Sequence, residues 1–193
     1  MSDDDSDGTS EQGTAVVLDF LPHGRTEDDR PQYQKNPLAY ALDTDEFGLY
    51  ELVLDSDANV SIGDAIDIYD TSTIDRTNTI EYEDLPGGAS SELEYVIEDL
   101  VEEEERRFVD FYNDAQPITL RLHQLNLLPG IGKKLRNNIL DERKRKPFES
   151  FDELESRIDG LHDGREVLAE RIMEELREDD LKYRIFVRGD EAE

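Results

Sequence analysis

The sequence contains no cysteine. Disulfides, zinc–thiolate centres and iron–sulfur clusters are excluded with it. Histidine is scarce: His23, His123 and His162 stand far apart and lack metal-ligand spacing, so each reads as a surface or capping residue. No apolar run approaches the ~18 residues of a membrane span, and no membrane partner is expected. Residues 1–13, MSDDDSDGTSEQG, carry neither a basic nor an apolar segment. They read as a disordered acidic tail and not as a signal peptide. Asn59-Val60-Ser61 matches a glycosylation sequon, which is a chance match in a chain expected to be cytoplasmic.

Lysine is also rare, with six in 193 residues: Lys35, Lys133, Lys134, Lys144, Lys146 and Lys182. Asp and Glu total 50 against 21 Lys and Arg, for a net charge of −29. Apolar periodicity persists from Thr14 to Val187, so this is not a disordered acidic chain. Acid scattered singly over every region is the pattern of a halophilic archaeal surface, and the net charge then reports the solvent more than the ligand.

Against that background one segment stands apart. From Ala115 to Leu140, 26 residues, there is no acid. Residues 119–148 hold Arg121, Lys133, Lys134, Arg136, Arg143, Lys144, Arg145 and Lys146 against only Asp141 and Glu142. A uniformly acidic surface has no reason to leave such a gap unless that part of it meets negative charge.

Five short strands are expected before residue 86: TAVVLDFL, LAYALD, FGLYELVL, DAIDIYD and NTIEY. Turn signals at Pro22–Gly24, Asp43–Gly48 and Asp55–Gly63 separate them. The expected fold class is α+β. A small OB-like β-barrel over residues 14–86 is followed by a connecting helix over 89–115, capped at Ser91. A helical region spans residues 116–180. In it ITLRLHQLNLL forms one helix, Ile131 to Lys144 a second, SFDELESRI a third and GREVLAERIMEEL a fourth. KYRIFVR, within residues 181–189, is expected as a short C-terminal strand. The helix pairs around Gly130 and Gly164 read as a possible duplication.

LLPGIGKK resembles the helix-hairpin-helix motif, with Leu128, Pro129, Gly130, Ile131 and Gly132 as its hairpin. The physical logic stands without the name. Glycines admit tight, positive-φ backbone, main-chain N–H groups converge, and the next helix points its N-terminus at the same place. Such a turn suits a nucleic-acid phosphate, with Lys133, Lys134, Arg136, Arg143, Lys144, Arg145 and Lys146 beside it. The alternative is a hairpin used structurally, in a protein-interaction adaptor whose basic island docks an acidic partner.

No catalytic residue is expected. Glu142-Arg143-Lys144 fits the start of a nuclease ERKxxxD signature, but Phe148 stands where its Asp belongs. GIGKK lacks the Walker spacing and its following Ser or Thr. No cofactor is expected, a monovalent cation at the hairpin being the one ion left open. In DFLPHGR, residues His23, Gly24 and Arg25 leave the first strand where an OB-type barrel borders its ligand face. Tyr33, Tyr40, Tyr50, Tyr69 and Tyr82 are read as packing residues.

Together VLDFLPHGR, AQPITLRLHQLNLLPGIGKK, ERKRKPFESFDEL and KYRIFV resemble an archaeal family catalogued as domain of unknown function 655. The resemblance spans Val16 to Val187. It implies an OB-like barrel joined to a helix-hairpin-helix region, nucleic-acid contact and a cytoplasmic setting. RNA, within a ribosomal or other information-processing assembly, is favoured slightly over DNA on that setting alone. The segment YDTSTIDRTN offers only Arg76, fewer basic residues than the resemblance leads one to expect on the barrel.

Overall fold

The computed structural model describes residues 13–188. The chain divides into two compact units, Met1–Ile80 and Glu81–Glu193. The tail expected over residues 1–13 lies, but for Gly13, outside the described residues.

In the first unit five antiparallel strands form one curled half-barrel sheet, in the order β4-β1-β2-β3-β5. They are β1 Thr14–Leu21, β2 Leu38–Asp43, β3 Leu49–Leu54, β4 Ala65–Asp67 and β5 Ile74–Ile80. One face buries Ala15, Val17, Ala39, Ala41, Leu52 and Leu54 as a continuous apolar cluster. The period-2 side-chain alternation of strands puts these residues on one side. A bulge between Val17 and Asp19 shifts the register of β1 against β2 and adds to the curl. β3 starts later than expected. Phe47 adopts φ 61° in the Asp43–Gly48 turn, where the Asp43 N–H donates to the Gly48 carbonyl at 2.8 Å. β4 is shorter than expected because the chain turns at Asp67, whose carboxylate accepts from the Tyr69 N–H at 2.9 Å and whose carbonyl accepts from the Asp70 N–H at 3.0 Å. β5 starts earlier, at Ile74, because Asp75, Arg76 and Thr77 are exposed strand residues whose polarity hid the strand. The sheet is a half-barrel with β4 and β5 at its two edges.

The second unit holds α1 Gly87–Glu103, α2 Glu105–Asp114, α3 Lys133–Arg145, α4 Phe151–Arg157 and α5 Gly164–Arg177. The single connecting helix expected from residue 89 is two helices. Glu104, at φ −97° and ψ 45°, kinks the run, although the Glu104 N–H still reaches the Leu100 carbonyl at 2.9 Å. Its N-cap is Pro86 and not Ser91. The helix expected from ITLRLHQLNLL is absent. Residues 116–123 turn back on themselves and only Gln124–Leu127 forms a single 3-10 turn. Pro117 lacks an N–H, and the Thr119 hydroxyl takes the N–H groups of Arg121 and Leu122, which a helix would have needed.

The segment KYRIFVR does not form the expected strand. The N–H groups of Ile185, Phe186 and Val187, at 2.7, 2.9 and 2.9 Å, all donate to the Glu175 carboxylate. Residue 189 of that expectation lies outside the described residues. Glu175 is 0% exposed and its second partner is Arg171, whose Nε donates to it at 3.0 Å. The Phe186 ring meets Phe111 at 5.1 Å and Phe108 at 6.4 Å. One carboxylate thus fastens the end of the chain to α5.

Removing one partner of a buried ion pair strands the other charge and costs about 3–5 kcal/mol. Glu175→Ala is expected to lower stability by that order in urea unfolding, and to expose the segment from Ile185 to Val187 to amide exchange.

Candidate nucleic-acid interface

The LPGIG hairpin is built as its residue types demand. Leu128 and Ile131 are buried, and the Ile131 N–H donates to the Leu128 carbonyl at 3.2 Å, closing the turn. Gly130 sits at φ 77°, a conformation that costs a side-chain-bearing residue about 1–2 kcal/mol. Gly132 is the N-cap of α3 at φ −88° and ψ −170°, with no side chain to cap the helix. The first helical bond runs from the Arg136 N–H to the Gly132 carbonyl at 3.0 Å. Among the described residues the N–H groups of Gly132, Lys133 and Lys134 meet no protein acceptor. A Cβ on Gly130 or Gly132 would touch nothing within 4 Å, so neither glycine is there to make room for packing. Gly130 serves its positive φ, and Gly132 leaves the helix start open.

The basic residues named from sequence divide by environment. Lys133, Lys134 and Lys144 are exposed, with no ion pair among the described residues. Arg136 is oriented by Asn126, whose Oδ1 accepts from Nη1 at 3.0 Å. Arg145 pairs with Glu142 at 3.1 Å, and Lys146 lies 3.9 Å from both Glu149 and Glu153. Arg143 turns inward. Its Nη1 donates to the carbonyls of Tyr112 and Ala115, at 3.2 and 2.9 Å, and so closes the end of α2. Burial lowers its guanidinium pKa from the usual value. Lys133, Lys134, Arg136 and Lys144 are therefore the cations available near α3.

The turn occurs twice. Ile158, Asp159, Gly160 and Leu161 repeat Leu128, Pro129, Gly130 and Ile131. Gly160 has φ 93°, Leu161 is buried, and its N–H donates to the Ile158 carbonyl at 3.3 Å. The second hairpin turns at Gly160, four residues before the Gly164 around which the duplication was placed. The electrostatics are reversed. The Asp163 carboxylate accepts from the N–H groups of Arg165 and Glu166, at 3.1 and 3.0 Å, and Glu155 accepts from Gly164 at 2.8 Å. Protein carboxylates occupy the first three donors of α5, whose counterparts after the N-cap of α3 are the N–H groups of Lys133, Lys134 and Leu135. Both hairpins border a groove of about 310 Å³ that also carries Asp163, Glu166 and Glu170. The acid lies on this flank of the hairpins.

His123 is a buried capping residue. Its Nδ1 accepts from the Leu125 N–H at 3.1 Å. Burial, then the charges of Arg143 and Arg136, hold the imidazole below its usual 6.5. Among the described residues no group of three His, Asp or Glu side chains is placed to hold a metal ion. No helix among them is long and apolar enough to cross a membrane.

In the first unit, Gly24 takes φ 68° after β1. Arg25 pairs with Glu51, which also accepts from the Tyr40 hydroxyl at 3.1 Å and from Asn78 at 3.4 Å. Gly24 and Arg25 border an open cleft of about 730 Å³, which His23 does not line. Arg30, Lys35 and Arg76 also face this cleft, a convergence the sequence did not disclose. Glu27, Asp28, Glu51 and Asp75 face them. Arg30 donates to Asp28 and holds that carboxyl down at about 2. This cleft is charge-balanced, whereas the hairpin is not.

Gly130→Ala is expected to cost about 1–2 kcal/mol in urea unfolding, whereas Gly132→Asp leaves stability within about 0.5 kcal/mol, because Asp is a good N-cap. His123 is kept neutral in the fold and regains its ordinary pKa of 6.5 when unfolded. Its contribution is full above 6.5 and is lost as pH falls below that value toward the lowered one. His123→Asn is expected to flatten the fall in stability between about pH 7 and pH 5, measured by urea midpoints.

Residues 11–188 match the family model described as "Protein of unknown function (DUF655)". The chain is 40% identical over 178 residues to "Uncharacterized protein MJ0038" from Methanocaldococcus jannaschii, covering 90% of this chain and 79% of that protein. It is similar to the crystal structure of Af1531 from Archaeoglobus fulgidus, at TM-score 0.82 and 36% identity, over 92% of this chain and 100% of that one. With its matched residues running from before β1 to the segment held by Glu175, this chain belongs to the DUF655 family.

Proposed function

We propose that the protein is a non-enzymatic nucleic-acid-binding protein that grips a backbone phosphate, without sequence preference, at the start of α3. One observation carries this reading. The N–H groups of Gly132, Lys133 and Lys134 are open in a 26-residue run without acid, while the twin hairpin has its donors closed by Asp163 and Glu155. Converging N–H groups at a helix start favour an anion, and phosphate is the anion that contacts without reading bases. Lys133, Lys134, Arg136 and Lys144 add charge at contact distance. Pro129, Gly130 and Ile131 shape the turn. Arg143, Arg145 and Lys146 belong to the protein's own contacts and stabilise the helix behind it.

We further read the half-barrel as OB-type. Its order β4-β1-β2-β3-β5 puts β4 and β5 at the edges, and the Thr77 hydroxyl donates to the Ile68 carbonyl at 3.3 Å. The acidic surface suits a salt-rich archaeal cytoplasm. At 1 M salt the Debye length is about 3 Å, so steering by lysine is weak and direct hydrogen bonds carry the grip. RNA in an information-processing assembly fits the family's archaeal setting. A protein adaptor is the second reading, in which the exposed Lys133, Lys134 and Lys144 dock an acidic partner.

Gly132→Asp imitates Asp163 and fills the open donors from within. A lost charge-assisted hydrogen bond is worth about 1.5–3 kcal/mol, or roughly ten- to a hundredfold in affinity. In fluorescence anisotropy with RNA and DNA oligonucleotides in molar KCl, Gly132→Asp is expected to weaken binding by at least that factor. Lys133→Glu with Lys134→Glu weakens it less. Wild-type protein that binds neither nucleic acid, or a Gly132→Asp variant that binds as well as wild type, contradicts the proposal.

A further inference from the structure

Residues 116–124, expected as a helix, form a braced finger. Pro117 and His123 bridge across its base. The Gln124 N–H donates to the Gln116 carbonyl at 3.0 Å, and the Gln116 N–H returns to the Gln124 side chain at 2.8 Å. Nearer the tip, the N–H groups of Ile118 and Thr119 both donate to the Leu122 carbonyl, at 2.8 and 3.0 Å. The Thr119 hydroxyl accepts from Arg121 and Leu122 at 3.2 and 3.0 Å. A loop cross-tied at this many points has few conformations to lose when it meets a ligand.

At its tip Leu120 is 106% exposed, more than any other exposed large apolar residue described. A single surface leucine is ordinary in itself. This one is held out by a rigid mount, with Arg121 exposed beside it, within the acid-free run from Ala115 to Leu140. The mount is also joined to the hairpin. Asn126 Oδ1 accepts from the His123 N–H at 3.1 Å and from Arg136 at 3.0 Å, while its Nδ2 donates to the Ile131 carbonyl at 3.4 Å. One amide therefore ties the finger base, the LPGIG turn and α3 together.

We propose that Leu120 is a wedge, entering the base stack of the nucleic acid whose backbone the hairpin holds. Its ligand is the face of unstacked bases, with Arg121 on the adjoining phosphate. This rests on the phosphate reading of the hairpin and adds a second contact of different chemistry. Apolar side chains presented this way separate base steps, and they do so without hydrogen bonds that would read sequence. The lack of acid on the finger fits a polyanion better than it fits an apolar pocket on a protein.

The test uses the full chain and oligonucleotides, each carrying 2-aminopurine at one position, in molar KCl. Wild type is expected to raise the fluorescence at one or a few positions. Leu120→Ser should stay folded, bind up to about tenfold more weakly, and give no rise. Gly132→Asp should bind at least tenfold more weakly and give no rise at the concentration that saturates wild type. Binding by wild type without any rise overturns the wedge and leaves the hairpin standing. So does a rise that survives in Leu120→Ser. No binding by wild type at all removes hairpin and wedge together.

Discussion

The helical unit rests on charged side chains that close main-chain ends. Arg143 takes the last carbonyls of α2, and Arg157 takes those of Glu142 and Lys146 at the end of α3. Arg184 takes the carbonyls of Glu175, Glu178 and Asp179 where α5 stops. Glu105 and Ser150 hold the start of α4, and Asp163 and Glu155 hold the start of α5. Each satisfies groups that a helix cannot satisfy itself, and all but the neutral Ser150 add a favourable charge–dipole contact. A chain rich in carboxylates has many candidates for the task at helix starts. α3 begins with a glycine nonetheless. α1 also begins uncapped, at Pro86-Gly87, but its neighbours in sequence are Glu83, Asp84, Glu92 and Glu94. Open donors and basic neighbours coincide at α3.

This pattern separates two uses of one turn. The hairpin at Gly160 and the hairpin at Gly130 share a positive-φ glycine, a buried apolar residue and a three-residue hydrogen bond. Asp163 makes the first self-contained. Gly132 leaves the second incomplete. The twin provides an internal control: the turn folds with its donors filled, so leaving them open is not a requirement of the fold. In strong salt that difference matters more than net charge, because screening removes distant lysines from the balance but not a donor at 2.9 Å from its acceptor.

The strands are legible as short apolar runs whose ends the Pro-Gly and Asp-rich turns mark, although β2 is buried along its whole length and shows no alternation. Asp75, Arg76 and Thr77 are not, since an exposed polar strand has no apolar signature. α4 and α5 were legible from Ser150, Glu153 and the spacing of Leu168, Ile172 and Leu176. The finger was misread because Ile118, Leu122 and Leu125 fit a helix by count, while the Thr119 and His123 side chains were already competing for the backbone. The hairpin residues Pro129–Gly132 could be read directly, as glycine and proline act locally. Arg143 could not, because its inward turn depends on where α2 ends. Neither could the fastening of the last segment, which follows from Glu175 being buried beside Arg171.

The central claim is that the amides at the start of α3 hold the anion. Amide chemical shifts of the ¹⁵N-labelled protein, titrated with a short single-stranded RNA in molar KCl, test it most directly. The account predicts that the Gly132, Lys133 and Lys134 resonances move downfield with saturation, while Gly164, Arg165 and Glu166 stay in place. Shifts that spare Gly132–Lys134, or that fall equally on both hairpins, would contradict it.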